Sequence, residues 1–412
     1  MVVGDSLSQG SSGDYTWRFW LYEHLVSDGL HPQMVGPYTE LYNNVRGVRD
    51  ACSYADPRFE TASDATWGQS LLTATTTIRH RVSVYRPAYL LVLIGVDDLG
   101  YGITSLAGAE ANLKTFITQA REANPHIRIV IGRLLRRERE PAALTAQIAQ
   151  YNADLPATAR QLSSHASPVV VADDTSGIDL STDLWDGSHP NAVGEIKIAA
   201  GFANALASHF GLGSPYPTPL PTVPVGPIVA PRLTATAGNG QARLSWTLTP
   251  GATGYIVGMK DVSAGDATFT ALPLPLPARK DPWTAGDLVN GSTYQFRLQA
   301  CKGVNCHAFS STVTVRPTGP VPAAPAALAV TAGNGRATLS WTAAANATGY
   351  YVYEKDISSG DTTFTMVPDP VPGTSWTVSG LANGTTYKFE LQSLDGLIRG
   401  GTTSPVQVTP EP

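Results

Sequence analysis

The sequence predicts an α/β domain with a parallel sheet, followed by two all-β sandwich modules. Three observations predict this order. Short apolar runs alternate with helical patterns over residues 1–212, a proline-rich stretch follows, and the remainder contains an internal repeat. A chain of 412 residues is also too long for one ordinary core, so two or three domains are expected.

The first domain, residues 1–212, alternates strand candidates with helix candidates. The strand candidates are Met1–Asp5, Gln33–Gly36, Ala88–Gly95, Ile127–Gly132 and Pro168–Ala172. The helix candidates are Tyr15–Asp28, Ser70–Tyr85, Ala107–Ala123, Ala142–Ser163 and Asn191–Phe210. Strands that alternate with amphipathic helices form a parallel sheet covered on both faces, and ligands bind outside the carboxyl ends of its strands. We therefore expect a site where the first, third and last strands end.

A proline-rich linker, residues 213–228, follows this domain. Proline recurs at about every second position between Ser214 and Pro227. This composition favours an extended polyproline II spacer, which would span about 40 Å at roughly 3.1 Å per residue.

The remainder is an internal repeat, with one copy at residues 229–318 and a second at residues 323–410. The shared blocks are Gly238-Asn239-Gly240 with Gly333-Asn334-Gly335, Leu244-Ser245-Trp246 with Leu339-Ser340-Trp341, and Thr253-Gly254-Tyr255 with Thr348-Gly349-Tyr350. Short alternating strands separated by turn signals are typical of a β-sandwich. Both copies resemble fibronectin type III modules, because each has an early core tryptophan, a third-strand tyrosine and a Leu…Gly-x-x-Tyr corner.

The cysteines divide unevenly along the chain. Cys301 and Cys306 flank a predicted hairpin tip, where we expect a disulfide and hence an oxidising compartment. The second repeat carries Leu394 and Arg399 in those places, so the fold does not require the bond. Cys52 has no accompanying histidine motif and is interpreted as an unreactive thiol.

A serine, an aspartate and a histidine stand in local settings that suit nucleophilic catalysis. Ser6 follows the first strand within Gly-Asp-Ser-Leu-Ser, and Asp186 precedes His189 by three residues far downstream. A carboxylate at that spacing can reach the Nδ1–H of the imidazole across a single turn. The contact would set the tautomer and leave Nε2 free to take a proton from Ser6.

These motifs resemble the nucleophile block and the Asp-x-x-His block of the SGNH (GDSL) hydrolase family, in the family's order. Gly-x-Ser-x-Gly is absent around Ser6, unlike the nucleophile elbow of ordinary α/β-hydrolases. The resemblance covers residues 1–212. It implies a three-layer, flavodoxin-like domain and a serine esterase. The acyl-enzyme route needs no cofactor, and no spacing of histidines and cysteines indicates a metal.

The resemblance also implies an oxyanion hole made by the N–H of Ser6, a glycine N–H and an asparagine side chain. Gly68 is the candidate glycine, with Gly47 as an alternative and helix entry as another interpretation of Gly68. The asparagine block reads Gly-Val-Asp-Asp, so Asp97 replaces the expected amide. An ionised carboxylate only accepts hydrogen bonds, and losing one oxyanion donor typically costs about 10²–10³ in rate.

Three interpretations of Asp97 remain open at this point. A protonated Asp97 could donate a hydrogen bond, as carboxyls in apolar sites can. Asp97 could instead turn away and leave backbone donors to support a slower enzyme, or the site could be degenerate. Asp98 is expected to cap the turn that follows it.

An arginine-rich run follows the fourth strand at the carboxyl edge of the sheet. The run contains Arg133, Arg136, Arg137 and Arg139. We hypothesise that one of them, with Arg133 and Arg136 as the candidates, receives an anionic group of the substrate, and a solvated loop is the alternative interpretation. A net charge of −5 and the lack of a basic stripe argue against nucleic acid as a partner. No apolar run approaches the length of a membrane span.

The expected function is an extracellular carboxylic-ester hydrolase. Its layout resembles that of bacterial extracellular enzymes that act on polymers, which favours acyl groups on polysaccharide. The sandwich modules would bind glycan or a cell-surface partner. No signal peptide is visible, and Met1 lies directly on the first strand, so a trimmed start is expected, with which a lost export signal is compatible.

Two other functions are compatible with the same residues. The protein could be a binding or adhesion protein whose hydrolase-like domain is weak or inactive, which Asp97 supports. It could also transfer the acyl group to an acceptor other than water, using the same serine, histidine and aspartate.

Overall fold

A computed structural model describes residues 1–51, 53–272, 276–278, 280–367 and 369–412, so the interpretation of Cys52 lies outside the described residues. The first strands and helices, up to residue 210, form the N-terminal domain. Its strands are β1 Val2–Gly4, β2 Leu41–Asn43, β3 Val48–Ala51, β4 Asp64–Ala65, β5 Tyr89–Leu93, β6 Arg128–Ile131 and β7 Val169–Val171. Its helices are α1 Ser6–Gln9, α2 Trp17–Ser27, α3 Leu71–Tyr85, α4 Val96–Gly100, α5 Leu106–Ala123, α6 Ala142–Leu162 and α7 Ala192–Phe210.

The N-terminal domain is built on a five-stranded sheet in the order β4-β1-β5-β6-β7, with every neighbouring pair parallel. The strand order reverses between β1 and β5, as it does in flavodoxin-like folds. Because parallel crossovers are right-handed, α2 lies on one face and α3, α5 and α6 on the other. Helix α7 packs against α2, which completes three layers. The predicted α/β fold class is confirmed.

The core of this domain lies between the sheet and its helices. Strands β1, β5 and β6 are runs of buried Val, Leu and Ile, the pattern expected when both faces of a parallel sheet are covered. Trp17 of α2 stacks on Phe202 of α7 with ring centroids 4.5 Å apart. These contacts fix the helices against the sheet.

Helix α7 begins directly after the loop that carries His189. Asn191 caps this helix, and its side-chain oxygen accepts hydrogen bonds from the amides of Val193 and Gly194 at 3.0 and 3.3 Å. Such a cap satisfies amides that have no partner within the helix. The cap therefore fixes the end of the preceding loop to the first turn of α7.

The predicted strand Gln33–Gly36 is wrong, since this segment is irregular and β4 provides the fifth strand of the sheet. Prolines 32 and 37 flank the segment and cannot donate ladder hydrogen bonds. Gly36 instead passes so close to Ser63 that an added Cβ would lie 2.3 Å from its carbonyl carbon. The other strand and helix candidates each overlap one observed element.

The remaining chain forms two β-sandwiches. The first module contains β8 Leu233–Gly238, β9 Gln241–Trp246, β10 Gly254–Asp261, β11 Thr270–Ala271, β12 Leu276–Pro277, β13 Trp283–Ala285, β14 Tyr294–Lys302, β15 Asn305–Phe309 and β16 Val313–Val315. The second contains β17 Ala326–Gly333, β18 Arg336–Thr342, β19 Gly349–Asp356, β20 Thr365–Met366, β21 Ser375–Ser379, β22 Tyr387–Asp395, β23 Ile398–Thr402 and β24 Val406–Val408. Each module sets a three-stranded sheet against a larger antiparallel one, so the predicted sandwich class is confirmed.

The repeated residues occupy equivalent places in the two sandwiches. Trp246 lies 5.3 Å from Tyr255 in the first core, and Trp341 lies 5.3 Å from Tyr350 in the second. Cys301 and Cys306 are joined by a disulfide between β14 and β15 of the first module. The repeat in the sequence thus corresponds to a repeat in the packing.

The proline-rich linker packs on the N-terminal domain. Tyr216 is buried in the core of that domain, and its amide donates to Oδ1 of Asn204 at 2.8 Å. The carbonyl of Ser214 lies 2.8 Å from Nε2 of His24. Apolar side chains between the prolines are thus removed from water, which favours docking over free extension.

No helix within the described ranges is long and apolar enough to cross a membrane.

Candidate active site

Ser6 lies at the carboxyl end of strand β1, at the first position of the short helix α1. Asp5 caps this helix, and its Oδ1 accepts from the amide of Leu7 at 3.0 Å. A Cβ added to Gly4 would lie 2.3 Å from Oγ of Ser8, so the strand-to-helix turn requires glycine there. The turn is tight, and it directs Ser6 to the edge of the sheet where the strand order reverses.

The structure brings Ser6, His189 and Asp186 together. Nε2 of His189 lies 3.0 Å from Oγ of Ser6, and Nδ1 lies 2.8 Å from Oδ2 of Asp186. The other carboxylate oxygen of Asp186 accepts from the amides of Ser188 and His189 at 3.0 and 2.8 Å. Both oxygens of Asp186 therefore serve to hold the His189 turn, and the imidazole bridges a carboxylate and a hydroxyl.

The surroundings keep Asp186 ionised and the imidazole in place. Burial alone would raise the pKa of Asp186, but hydrogen bonds from His189 and Ser188 hold that pKa below its ordinary value. Trp67 stacks on the His189 ring with centroids 4.2 Å apart, and Trp185 lies on it at 5.8 Å. A carboxylate that is ionised at neutral pH can stabilise the imidazolium that forms when His189 takes a proton.

A small cavity of about 100 Å³ opens onto Ser6. Its walls combine the hydroxyl–imidazole pair with aromatic, apolar and charged side chains. The lining residues are Ser6, Leu7, Trp67, Gly68, Val96, Asp97, Tyr101, Leu135, Arg137, Ser188 and His189. This volume is well below the roughly 300–1,000 Å³ of pockets that take drug-sized ligands.

Gly68 lies in this cavity, whereas the alternative Gly47 lies in the turn between β2 and β3 and does not line it. The amide of Gly47 already donates to the carbonyl of Asn43 at 2.7 Å. No hydrogen bond among the described residues uses the amide of Gly68. Gly68 has a φ of +75°, a conformation that glycine adopts without cost. Gly68 is thus the better placed of the two to offer an N–H to an oxyanion.

Asp97 lines the cavity from the start of α4 and is only 4 % exposed, so it does not turn away from the site. Its Oδ1 lies 3.4 Å from Nη2 of Arg137. Burial raises the pKa of Asp97, and the charges of Arg137 and His189 oppose that rise. The carboxyl that replaces the expected amide is thus accompanied by a guanidinium.

Asp98, the next residue, caps a helix that is remote in sequence. Its two carboxylate oxygens accept from the amides of Leu71 and Leu72 at 2.6 and 3.0 Å, at the start of α3. The expectation that Asp98 caps the following turn is therefore wrong. A carboxylate at a helix N-terminus is stabilised by the free amides and the helix dipole.

Arg133 and Arg136 do not reach the cavity, which contradicts the hypothesis that they receive the substrate. Arg133 pairs with Asp173, and Arg136 pairs with Glu140 at 2.9 Å. Arg137, from the same charged run, faces the cavity instead. The sequence shows the run of arginines after the strand, but which arginine points into the cavity depends on the path of the chain after β6.

The model of the GDSL-like lipase/acylhydrolase family matches residues 2–195, the segment that carries Ser6, Asp186 and His189. This segment is a GDSL-like acylhydrolase domain. The fibronectin type III model matches residues 323–409, the second sandwich module. The chain thus joins an acylhydrolase domain to sandwiches of the fibronectin type III class.

Similar solved structures include carbohydrate esterases of family 3. One, from Talaromyces cellulolyticus, is 23 % identical, with 50 % of this chain and 94 % of that chain covered and a TM-score of 0.42. Another, from Clostridium thermocellum, is 24 % identical, with 49 % of this chain and 91 % of that chain covered and a TM-score of 0.39. A two-domain fibronectin type III segment of chicken tenascin is 19 % identical, with 44 % of this chain and 99 % of that chain covered and a TM-score of 0.27.

Curated relatives include amylopullulanases. One from Thermoanaerobacterium saccharolyticum is 27 % identical over 114 residues, which are 27 % of this chain and 9 % of that protein. A second, from Thermoanaerobacterium thermosulfurigenes, is 26 % identical over 121 residues, which are 29 % of this chain and 6 % of that protein. The chain therefore spans less than a tenth of the length of these curated relatives.

Proposed function

We propose that the protein is an extracellular serine esterase that removes a short acyl group through an acyl-enzyme. The observation that carries the proposal is the continuous contact from Asp186 through His189 to Ser6, at 2.8 and 3.0 Å, at the mouth of a small cavity. A nucleophile, a base and a group that orients the base are the parts that acyl transfer requires.

The reaction follows from this geometry. Oγ of Ser6 attacks the ester carbonyl while Nε2 of His189 takes its proton. The tetrahedral intermediate collapses when His189 returns the proton to the leaving alcohol, which leaves the acyl group on Ser6. Water then attacks the acyl-enzyme with His189 again as the base, and the acid is released.

Two backbone amides and a charged pair would surround the oxyanion. The amides of Ser6 and Gly68 supply the hydrogen bonds. The Arg137 guanidinium offsets the carboxylate of Asp97, so no unbalanced negative charge faces the developing oxyanion. Electrostatic stabilisation of this kind is often the largest single contribution to catalysis.

The cavity favours a short acyl group, with acetyl on a polysaccharide as the proposed substrate. A cavity of about 100 Å³ suits a short acyl group better than a fatty-acyl chain. Tyr101, which is 67 % exposed, stands at the rim and offers an aromatic face to the alcohol portion. Tyrosine suits such a place because its ring is apolar and its hydroxyl is polar. The disulfide supports export to an oxidising compartment.

Hydrolysis of p-nitrophenyl acetate by the full chain tests this proposal, with Ser6→Ala as the matched control. The parent should show turnover that Ser6→Ala lacks, and kcat/KM should fall as the acyl chain is lengthened from acetate to octanoate. Release of acetate from acetylated xylan tests the polysaccharide substrate. Equal rates for the parent and Ser6→Ala would contradict the esterase and favour the binding protein that Asp97 suggests.

A further inference from the structure

We propose that the first sandwich module is a structural part of the active site. The tip of its disulfide-closed hairpin, residues 302–305, holds the loop that carries His189, and a second loop supports the segment after Ser6. This inference rests on the proposed esterase function, because it assigns these contacts a role in positioning the base against the nucleophile.

The hairpin tip contacts both ends of the His189 loop. The amide of Val304 donates to the carbonyl of Trp185 at 3.3 Å, and Nδ2 of Asn191 donates to Oδ1 of Asn305 at 3.1 Å. Within the loop, the amide of Trp185 donates to the carbonyl of His189 at 2.9 Å. The residues on either side of the catalytic turn are therefore tied to another module.

Gly303 permits the closest part of this contact. It has a φ of +55°, and an added Cβ would lie 1.7 Å from the carbonyl oxygen of Trp185. No real Cβ approaches an oxygen so closely, so any side chain at position 303 would force the two surfaces apart. The disulfide between Cys301 and Cys306 closes the hairpin directly below this glycine.

Lys302 supplies charge to the same interface. It is 5 % exposed, forms an ion pair with Asp14 and lies 5.0 Å above the ring of Trp185. Asp14 in turn accepts from the amide and hydroxyl of Ser11 at 2.7 and 3.0 Å, in the loop that follows the nucleophile helix. Lys302 therefore reaches both catalytic loops from one position.

A buried carboxyl group of the acylhydrolase domain also depends on this lysine. Glu195 accepts from the amide of Thr16 at 3.0 Å. Burial and the charge of Asp14 raise the pKa of Glu195, and Lys302 opposes that rise. Without Lys302, two neighbouring carboxyl groups would remain in a buried site with less positive charge to balance them.

A separate loop of the module touches the nucleophile segment. An added Cβ on Gly13 would lie 2.7 Å from Cα of Gly251, and one on Gly251 would lie 2.8 Å from the carbonyl oxygen of Ser12. The module thus packs against the loops of both Ser6 and His189. A displacement of about 1 Å between reacting groups can cost roughly 10²-fold in rate, so support at both loops affects kcat.

The internal repeat provides a matched control. The equivalent hairpin of the second module docks on the first module, where the amide of Leu397 donates to the carbonyl of Asn290 at 2.7 Å. Its Gly396 has a φ of +58°, and an added Cβ would lie 2.5 Å from that same oxygen. Gly303 and Gly396 thus occupy similar junctions, of which only the first contacts the catalytic loops.

The experiment compares Gly303→Ala, Lys302→Met and Gly396→Ala in the full chain with p-nitrophenyl acetate. We expect kcat to fall about tenfold or more in Gly303→Ala and Lys302→Met, with KM within about twofold of the parent. Lys302→Arg should retain more of kcat than Lys302→Met, because it keeps the charge. Gly396→Ala should leave kcat unchanged.

Amide hydrogen exchange over residues 184–191 gives a readout that does not depend on esterase activity. Exchange should quicken in Gly303→Ala and Lys302→Met and remain at the parent rate in Gly396→Ala. Unchanged exchange in both hairpin variants would overturn the inference, as would faster exchange with an unchanged kcat. Failure of the proposed function is distinct, since it would appear as equal rates for the parent and Ser6→Ala.

Discussion

Arg137 and Asp97 face each other in the wall of the cavity that holds Ser6, with Nη2 of Arg137 3.4 Å from Oδ1 of Asp97. The pair stands where the resemblance implied a neutral amide donor. The guanidinium allows a carboxyl to occupy that place without presenting an uncompensated charge to the reacting ester. The balance of charge in the cavity therefore depends on a residue 40 positions further along the chain.

Arg137→Gln should lower kcat roughly tenfold or more, because it leaves the Asp97 carboxylate unbalanced beside the oxyanion. Steady-state kinetics on p-nitrophenyl acetate measure the loss. Arg133→Gln is the matched control and should keep the parent rate, since Arg133 pairs with the exposed Asp173. Adding Asp97→Asn to Arg137→Gln should restore activity. An additive loss in that double variant would refute the charge-balance role.

Asp97→Asn should change the dependence of kcat on pH. Burial raises the pKa of Asp97 while Arg137 and His189 oppose that rise, so the carboxyl keeps its proton to a higher pH than an exposed aspartate. As pH rises through this pKa, Asp97 loses the proton with which it can donate a hydrogen bond to the oxyanion, whereas the amide of Asp97→Asn keeps its donor, so the rate of the parent falls relative to that of Asp97→Asn. Kinetics from about pH 5 to about pH 9 would reveal the trend. A constant ratio of the two rates would mean that this ionisation has no effect on catalysis.

Asp186→Asn should reduce kcat by about 10³–10⁴ with little change in KM, because an amide cannot stabilise the imidazolium or hold the required tautomer of His189. Stopped-flow or steady-state esterase assays measure this loss. Asp179→Asn, an exposed aspartate nearby in the sequence, should retain the parent rate. An Asp186→Asn variant with near-parent kcat would show that His189 does not need this carboxylate.

Asp174→Asn should flatten the pH dependence of stability. Asp174 is 1 % exposed, and burial raises its pKa to about 7. Between its unfolded pKa of 3.8 and this value, the folded chain holds a proton that the unfolded chain releases. The free energy of unfolding should therefore decrease with rising pH, by up to about 1.4 kcal/mol per unit.

Urea unfolding at acidic and mildly alkaline pH measures this effect. The parent should lose more stability than Asp174→Asn as pH rises. Asp173→Asn, which alters an exposed neighbour, should follow the parent. Parallel curves for the parent and Asp174→Asn would contradict the expectation.

Local patterns predicted most of the α/β domain and the repeated sandwiches. The long helices and the buried strands each have a periodicity that extends over several residues, so their existence follows from the chain itself. Strand β4 has only two residues and no such pattern. It forms because Asp64 and Ala65 pair with strand β1, and the sequence does not record this pairing between residues about 60 positions apart.

In the candidate site, too, some residues could be predicted from local motifs and others could not. Ser6, Asp186 and His189 stood out because each belongs to a short motif with its own spacing. Arg137 did not, since it is one of several arginines in a charged run and only the turn after β6 directs it inward. The packing of the linker could not be predicted for a related reason, because its prolines are visible in the sequence and the surface that buries Tyr216 is not.

The sequence by itself determined the order of domains, the motif residues of the site and the position of the disulfide, because these depend on neighbours along the chain. Only the tertiary structure decided that Asp97 meets Arg137, that Gly68 and not Gly47 faces Ser6, and that the first sandwich module supports the His189 loop. Those outcomes depend on packing between surfaces that are remote in sequence. Such packing is set by shape, burial and charge and not by any local pattern.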